Sequence, residues 1–164
     1  MKRGNVLGAG DRGVEASREG GMIQQTFRYQ TSPRAPRKLA KAIRHFLSRH
    51  LVDDDVLYEL ELALTEACSN IVLYAYRNHS EGEIRVQVSL EPGSHLVIEI
   101  MDWGWPFYGP PANPPAQPDP RSETGRGIYL ISQIMDTYRF SHSQQTNTLR
   151  MEKKLRSEHE VPGN

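Results

Sequence analysis

Seven of the eleven prolines in this 164-residue chain lie between Pro106 and Pro120. Proline lacks a backbone N–H and has a fixed φ, so this stretch cannot form the interior of a helix or of a sheet. Residues 103–124 as a whole show no apolar periodicity, and a loop of this length in a compact domain is usually functional or disordered. Its PxxP spacings also suit a polyproline ligand, although a stiffened loop is the simpler interpretation. Regular structure is therefore expected on either side of the loop.

Hydrophobic periodicity predicts a strand, two helices and two strands before the loop, then a helix and two strands after it. The predicted elements are a β-leaning segment from Ile23, a helix starting at Ser32-Pro33, a helix from the aspartates 53–55 to about Tyr76, strands Glu83–Glu91 and His95–Asp102, a helix over 125–136, and strands 137–142 and 148–155. Helices in this order can stack on one face of a sheet. The predicted fold class is α+β, a two-layer sandwich in which a mostly antiparallel mixed sheet is covered on one face by helices.

Apolar stripes predict the buried faces of the two long helices. The stripe of the first helix consists of Leu39, Ala42, Ile43, Phe46 and Leu47. The stripe of the second consists of Leu57, Leu60, Leu64, Ile71 and Tyr74. We expect both stripes to be buried in the core of the domain.

The composition limits the class of protein and its surroundings. Residues 1–21 are rich in Gly and charge, so we predict a disordered tail there, a single domain over 22–156 and a polar tail over 157–164. Acidic and basic residues balance at 20 each, which gives no strong field for nucleic acid or an anionic membrane. A single cysteine, Cys68, excludes an intrachain disulfide. With no secretory signal or apolar run of membrane-spanning length, a cytoplasmic protein is expected.

Two polar residues interrupt the apolar second helix, in the stretch TEACSNIVLYAY over residues 65–76. Glu66 and Asn70 are four residues apart, so they project from one helical face about one turn apart. Either both lie at the solvent edge of the stripe, or both face a ligand. Taken alone, the pattern favours the solvent edge.

Two further patterns suit a nucleotide. In MDWGWPF, Asp102 ends a buried strand and offers an acceptor for an amino group such as N6 of adenine, while Gly104 permits a sharp turn close to a flat ring. In TGRGIYLI, Gly125 and Gly127 open a helix whose first N–H groups suit a phosphate. Each pattern also occurs in an ordinary turn or a flexible helix start.

Together, in this order and separated by a long loop, the three patterns resemble the N, G1 and G2 boxes of the GHKL ATPase superfamily. Members of this superfamily include gyrase B-type topoisomerases, histidine kinases and heat-shock chaperones. The size of the chain, its E-A-C-S-N box, its DWGWPF and its GRGIYLI helix are most similar to the bacterial anti-sigma factor serine/threonine kinases. The resemblance covers roughly residues 23–155.

This resemblance implies a site for ATP and Mg²⁺ between the helices and the long loop. It assigns Asn70 as the magnesium ligand and Glu66 as the general base that accepts the proton of a Ser or Thr hydroxyl. It assigns Asp102 as the adenine-reading carboxylate, with Gly104 beside it. The remaining ATP-binding assignments are Gly125, Arg126 and Gly127 at the phosphates and Thr148 near the adenine.

The chain departs from the superfamily pattern at the start of the loop. Trp103 and Trp105 are bulky where many members carry small residues, and Pro106 stands where a second glycine often occurs. The two indoles either stack on the base or cover the edge of the core, and the second interpretation is favoured. The proline-rich loop is also stiffer than a Gly-rich lid, so its closure over ATP is expected to differ.

The function implied by the resemblance is that of a switch kinase. Such a protein holds a sigma factor inactive and phosphorylates a Ser or Thr on a small STAS-type anti-sigma-factor antagonist, and it is expected to be a homodimer. The alternative is a nucleotide-binding module of the same fold that sequesters its partner without phosphotransfer. A detached histidine-kinase catalytic domain and an α+β scaffold without a ligand are two further interpretations.

Overall fold

The computed structural model describes residues 15–51, 53–79, 81–110, 115–121 and 125–156. The strands in these residues are β1 (Glu15–Glu19), β2 (Met22–Gln30), β3 (Glu83–Glu91), β4 (His95–Asp102), β5 (Thr137–Ser143) and β6 (Thr146–Lys154). The α-helices are α1 (Ala35–Leu47), α2 (Asp54–Asn70) and α3 (Arg126–Ile134). A π-helical segment, Ile71–Ala75, continues α2.

One sheet contains all six strands in the order β1-β2-β3-β4-β6-β5. Each of its five pairings is antiparallel, so the mixed pairing that the prediction allowed does not occur between these strands. Alternate side chains of the central strands β3 and β4 are buried in the same core as the apolar residues of α1 and α2. The predicted two-layer α+β class is therefore confirmed.

Helix α1 uses the buried face that its periodicity predicts. Leu39, Ile43, Phe46 and Leu47 are buried, and Ala42 is partly buried against them. The helix begins at Ala35, later than the predicted start at Ser32-Pro33. The hydroxyl of Ser32 still accepts a hydrogen bond from the backbone N–H of Ala35 at 3.1 Å, so this serine satisfies a donor at the helix start from within the preceding turn.

Helix α2 begins where the aspartates predict, but its far end differs from the prediction. Asp53 is the N-cap, and its side chain accepts from the backbone N–H groups of Asp55 and Val56. After Asn70 the hydrogen bonds widen to the π pattern, because Tyr76 N–H donates to the carbonyl of Ile71 at 3.0 Å.

The wider turn changes which side chains face the core. Val72 and Ala75 are buried, whereas the side chain of Tyr74 is 61% exposed. An α-helical period cannot anticipate this, because a π turn adds a residue to each hydrogen-bonded ring. The prediction that Tyr74 belongs to the buried stripe is therefore wrong.

The first strand was not predicted. β1 pairs with β2 across Gly20 and Gly21, whose φ values are 58° and 90°. A Gly-Gly pair with positive φ at both positions is typical of a two-residue hairpin turn, and this signal was missed. The predicted disorder is therefore wrong for residues 15–21. Residues 1–14 and 157–164 lie outside the described residues, and the predictions for them stay predictions.

The proline-rich loop agrees with its sequence. Residues 103–110 and 115–121, which are the described parts of the loop, contain no helix or strand. Within the described part of the chain, no helix combines the length and apolar character needed to cross a membrane.

Candidate functional site

A cavity of about 720 Å³ lies between the C-terminal half of α2, the π-helical segment, the start of α3 and the ends of β4 and β6. Seven of the eight residues predicted for the site line this cavity. They are Glu66, Asn70, Asp102, Gly125, Arg126, Gly127 and Thr148. The three separate sequence patterns therefore meet at one place in the fold.

The α3 end of the cavity consists of Glu66, Asn70 and Gly127. A β-carbon placed on Gly127 would lie 3.0 Å from Oε2 of Glu66 and 3.3 Å from Nδ2 of Asn70, so glycine lets α3 approach these side chains closely. Both side chains are half-buried, and neither makes a hydrogen bond or ion pair with a described residue. The α3 end thus presents a carboxylate and an amide whose polar atoms remain available.

Helix α3 starts at an N-cap residue without a side chain. Gly125 is this N-cap, in the left-handed conformation with φ 81°, and no side chain of a described residue accepts a hydrogen bond from the first turn. The first N–H groups of a helix have no partner within the helix and carry the positive end of its dipole. Arg126 lies beside them, and its guanidinium donates to the carbonyl of Pro120 in the loop. The start of α3 is therefore suited to an anion.

The β4 end of the cavity consists of Asp102 and Asn147. Asp102 is 5% exposed, and its Oδ1 accepts from the backbone N–H of Gly104 at 3.0 Å and from Nδ2 of Asn147 at 2.7 Å. No described residue donates to its Oδ2. Burial raises the pKa of the Asp102 carboxyl, while these two hydrogen bonds and the charge of His142 act in the opposite direction. Oδ2 is left as an acceptor without a partner in the described part of the chain.

Gly104 is the one predicted residue that does not line the cavity. A β-carbon on Gly104 would lie 2.3 Å from the carbonyl oxygen of Ala75 and 2.5 Å from its carbonyl carbon. The next residue, Trp105, donates its backbone N–H to that same oxygen at 2.8 Å. The structure therefore gives Gly104 a packing role, in which the loop start lies directly against the end of the π-helical segment.

Thr148 lies in the cavity wall, but its neighbour Asn147 holds the position beside the carboxylate. Asp102 pairs with Asn147, and Met101 pairs with Thr148. Side chains of paired residues lie on one face of a sheet and alternate along each strand, so the Thr148 side chain points to the face opposite Asp102. Sequence reasoning missed Asn147. The alternation with buried Leu149 would have placed this asparagine on the inner face.

The two tryptophans of the loop start have different surroundings. Trp105 lines the cavity, is 60% exposed and has the guanidinium carbon of Arg77 4.1 Å from its ring centroid. Trp103 lies outside the wall, with the guanidinium carbon of Arg85 4.7 Å from its ring centroid. Of the two indoles, Trp105 is therefore the one within reach of a bound molecule.

Comparison with known proteins agrees with this geometry. The family model of the histidine kinase-like ATPase domain matches residues 29–153. The "Serine-protein kinase RsbW" of Bacillus mycoides (strain KBAB4) is 32% identical over 119 residues, which cover 67% of this chain and 72% of the relative. The protein of the same name from Bacillus velezensis is 31% identical over 112 residues, covering 63% and 68%. That from Bacillus subtilis (strain 168) is 32% identical over 101 residues, covering 56% and 62%.

The matched residues of the family model contain all the residues assigned to the cavity. The relatives share about a third of their residues with this chain over most of its described length. The chain therefore belongs to the histidine kinase-like ATPase domain family and, within it, to the family of bacterial anti-sigma factor kinases.

Proposed function

We propose that this protein is an ATP-dependent serine/threonine kinase that phosphorylates a small STAS-type anti-sigma-factor antagonist and holds a sigma factor inactive until the antagonist displaces it. The observation that carries the proposal is the α3 end of the cavity. There, Glu66 and Asn70 lie one helical turn apart beneath Gly127 without a partner among the described residues. The relatives' shared name, serine-protein kinase, supports the same activity.

ATP would lie along the cavity from its β4 end to its α3 end. Oδ2 of Asp102 accepts a hydrogen bond from the exocyclic amino group of adenine, because an ionised carboxylate is an acceptor alone. The N–H groups at the start of α3 bind the phosphates. The volume of about 720 Å³ lies within the usual range for a small-molecule site.

The donor set fits Mg²⁺ held mainly by the nucleotide. The described residues contain no group of three or more His, Cys, Asp or Glu side chains placed to hold a metal ion. Mg²⁺ prefers oxygen ligands and typically keeps several waters beside one or two protein oxygens and the substrate phosphates. The amide oxygen of Asn70, which has no partner among the described residues, is suited to be the protein ligand. When bound, the ion would neutralise charge on the phosphates.

Glu66 is the proposed general base. Its carboxylate accepts the proton of the incoming Ser or Thr hydroxyl while the hydroxyl oxygen bonds to the γ-phosphorus. The bond from that phosphorus to the bridging oxygen breaks, and ADP leaves. Arg126, beside the phosphates, adds positive charge that stabilises the transferring group.

The test is transfer of labelled γ-phosphate from Mg-ATP to a candidate antagonist. Glu66→Gln should lower the transfer rate by roughly 10²- to 10⁴-fold, the usual contribution of a general base, while ATP affinity stays close to that of the wild type. Glu59→Gln, an exposed position on the same helix, is the matched control and should transfer normally.

Equal transfer by the wild type and Glu66→Gln would remove Glu66 from the proposal. A wild type that binds Mg-ATP and its partner but transfers no phosphate would instead support the non-catalytic, sequestering alternative. The homodimer implied by the resemblance stays a prediction, and light scattering on the purified protein tests it.

A further inference from the structure

Asn147 uses its whole hydrogen-bonding capacity at the β4 end of the cavity. Its Nδ2 donates to Oδ1 of Asp102 at 2.7 Å and to the carbonyl oxygen of Trp105 at 2.9 Å. Its Oδ1 accepts from the backbone N–H of Phe107 at 2.9 Å and lies 2.8 Å from Nδ1 of His142. The Asn147 residue is 6% exposed, and its bond to Asp102 is buried, whereas the other three contacts are partly buried.

The partners themselves determine how this amide is oriented. The Trp105 carbonyl can only accept, so it must face the NH₂ group, and the Phe107 N–H can only donate, so it must face the oxygen. The same orientation requires His142 to carry a proton on Nδ1, where it donates to the amide oxygen. The orientation is therefore determined: a flipped amide would place like groups against each other at the contacts with Asp102, Trp105 and Phe107.

We propose that Asn147 is a positioning residue. It orients one oxygen of Asp102 towards the purine and holds the start of the loop beside this carboxylate. The inference rests on the proposed binding of ATP in this cavity. Oδ1 of Asp102 is held by Asn147 and by Gly104, so the carboxylate cannot rotate without losing a bond in a buried place. Oδ2 is thereby held towards the ligand.

The same side chain holds the loop start on both sides of Pro106. The Trp105 carbonyl precedes this proline and the Phe107 N–H follows it, and both bond to Asn147. The Phe107 ring also packs edge-on against Phe140, with ring centroids 5.1 Å apart. Because proline has no N–H to pair with a strand, the asparagine supplies the hydrogen bonds that a sheet would otherwise give. The carboxylate and the adjoining cavity wall therefore keep one relative position.

A held acceptor should give selectivity for a purine with an amino group at C6. If Asn147 is removed, Asp102 can turn towards water, and the preference for that amino group should fall even where ATP still binds. A merely structural role would weaken all nucleotides alike. The ratio of two affinities therefore separates positioning from stability.

The experiment measures dissociation constants by titration calorimetry for ATP and for purine riboside triphosphate, which lacks the 6-amino group. The variants are Asn147→Ala, Asp102→Ala and the double substitution, with Ser141→Ala on the outer face of β5 as the control. The wild type and Ser141→Ala should prefer ATP by about tenfold, the value of roughly one hydrogen bond to a charged group. Asn147→Ala should reduce this preference to about twofold, and in the Asp102→Ala background it should change nothing further.

Asn147→Asp keeps the size of the side chain and serves if the alanine variant folds poorly. With both carboxyls ionised at neutral pH, its oxygen would face Oδ1 of Asp102 and the carbonyl of Trp105, so the donor would be lost and like charges would repel until one carboxyl takes up a proton. The preference for ATP should then be weak at neutral pH and recover on acidification, opposite to the direction expected for the wild type.

Three results would overturn the inference. An unchanged preference in Asn147→Ala, or a wild-type pH profile in Asn147→Asp, would show that Asp102 needs no positioning, while the proposed function would stand. A wild type that binds neither nucleotide would remove the proposed ATP site together with this inference. The assay measures binding alone, so absence of phosphotransfer bears only on the kinase proposal.

Discussion

At the β4 end of the cavity, the side chains of Asp102 and Asn147 take part in five hydrogen bonds with each other, the loop start and His142. At the α3 end, the side chains of Glu66 and Asn70 bond to no described residue. The first pair is buried and the second is half-buried. We call the β4 end, with Asp102 and Asn147, the finished end, because its polar side chains are already paired. We call the α3 end, with Glu66 and Asn70, the open end, because these side chains have no partner among the described residues.

The difference follows from what each end is proposed to bind. An adenine ring is uncharged and is recognised by one amino group, so the carboxylate that accepts from this group must be oriented before binding. Burial of the hydrogen bonds that hold the carboxylate stabilises that orientation. Phosphates and a cation bring their own charge and ligands, so the groups that meet them must remain without protein partners. Half-exposed side chains can form hydrogen bonds with water when no ligand is bound. A buried carboxylate without hydrogen-bond partners would instead destabilise the folded state.

The largest expected effect tests the packing behind the finished end. Gly104→Ala would place a β-carbon 2.3 Å from the backbone oxygen of Ala75, where neither side can move freely. We expect a loss of about 3 kcal/mol in the free energy of unfolding, measured by urea denaturation.

Gly125→Ala at the open end is the matched control for that measurement. It meets no heavy atom within 4 Å and has only the strain of φ 81°, so about 1 kcal/mol is expected. Equal losses for the two glycines would contradict the difference in packing between the ends.

The next effect concerns the cation at the open end. Asn70→Ala should weaken ATP binding in the presence of Mg²⁺ by on the order of tenfold, because a ligand to a charged group is lost. The free energy of unfolding should hardly change, since alanine is the better helix former and Asn70 bonds to no described residue. Calorimetric titrations with and without Mg²⁺ measure the two ATP affinities. The affinity of Asn70→Ala for ATP without the ion should match that of the wild type. An unchanged response to Mg²⁺ would remove the assignment of Asn70.

The smallest effect is a pH dependence at the finished end. Burial raises the pKa of Asp102, so its carboxylate takes up a proton at a pH above 3.8, the usual value. A protonated Oδ2 no longer accepts from the adenine amino group, and ATP affinity should decline as the pH falls towards that raised pKa. Asp102→Asn should abolish this titration, which calorimetry from roughly pH 7 to pH 4 would detect.

The raised pKa of Asp102 also predicts how the free energy of unfolding changes with pH. The folded state binds the Asp102 proton more tightly than the unfolded chain does, so ionisation of this carboxyl opposes folding. This penalty is absent below about 3.8 and is fully present above the folded-state pKa. Asp102→Asn should therefore be no less stable than the wild type at neutral pH. A marked loss of stability there would contradict the direction of the shift.

Local patterns in the sequence predict much of the finished fold. Alternation delimits Glu83–Glu91 and a more apolar run delimits His95–Asp102 to the residue. The aspartates 53–55 mark the start of α2, which begins at Asp54. The same local reasoning brings Glu66 and Asn70 onto one face. Each of these features depends on residues that are close together in the chain, where period and propensity act directly.

The missed features depend on contacts between distant segments or on one-residue offsets. Gly104 matches a ligand-approach pattern, yet its actual neighbour is Ala75, far away in the chain. Thr148 in place of Asn147 is an offset of one residue, which in a strand exchanges the two faces of the sheet. Tyr74 leaves the core because the helix widens, and no propensity distinguishes such a turn.

The widened turn after Asn70 also acts as a spacer. Wound as an ordinary α-helix, the same residues would rotate the chain beyond them by about 100° for each residue displaced. The oxygen of Ala75 would then no longer meet the N–H of Trp105. Gaining or losing a single residue within Ile71–Ala75 would therefore uncouple the helix from the loop. The number of residues in this short stretch thus decides whether the second helix and the loop start meet.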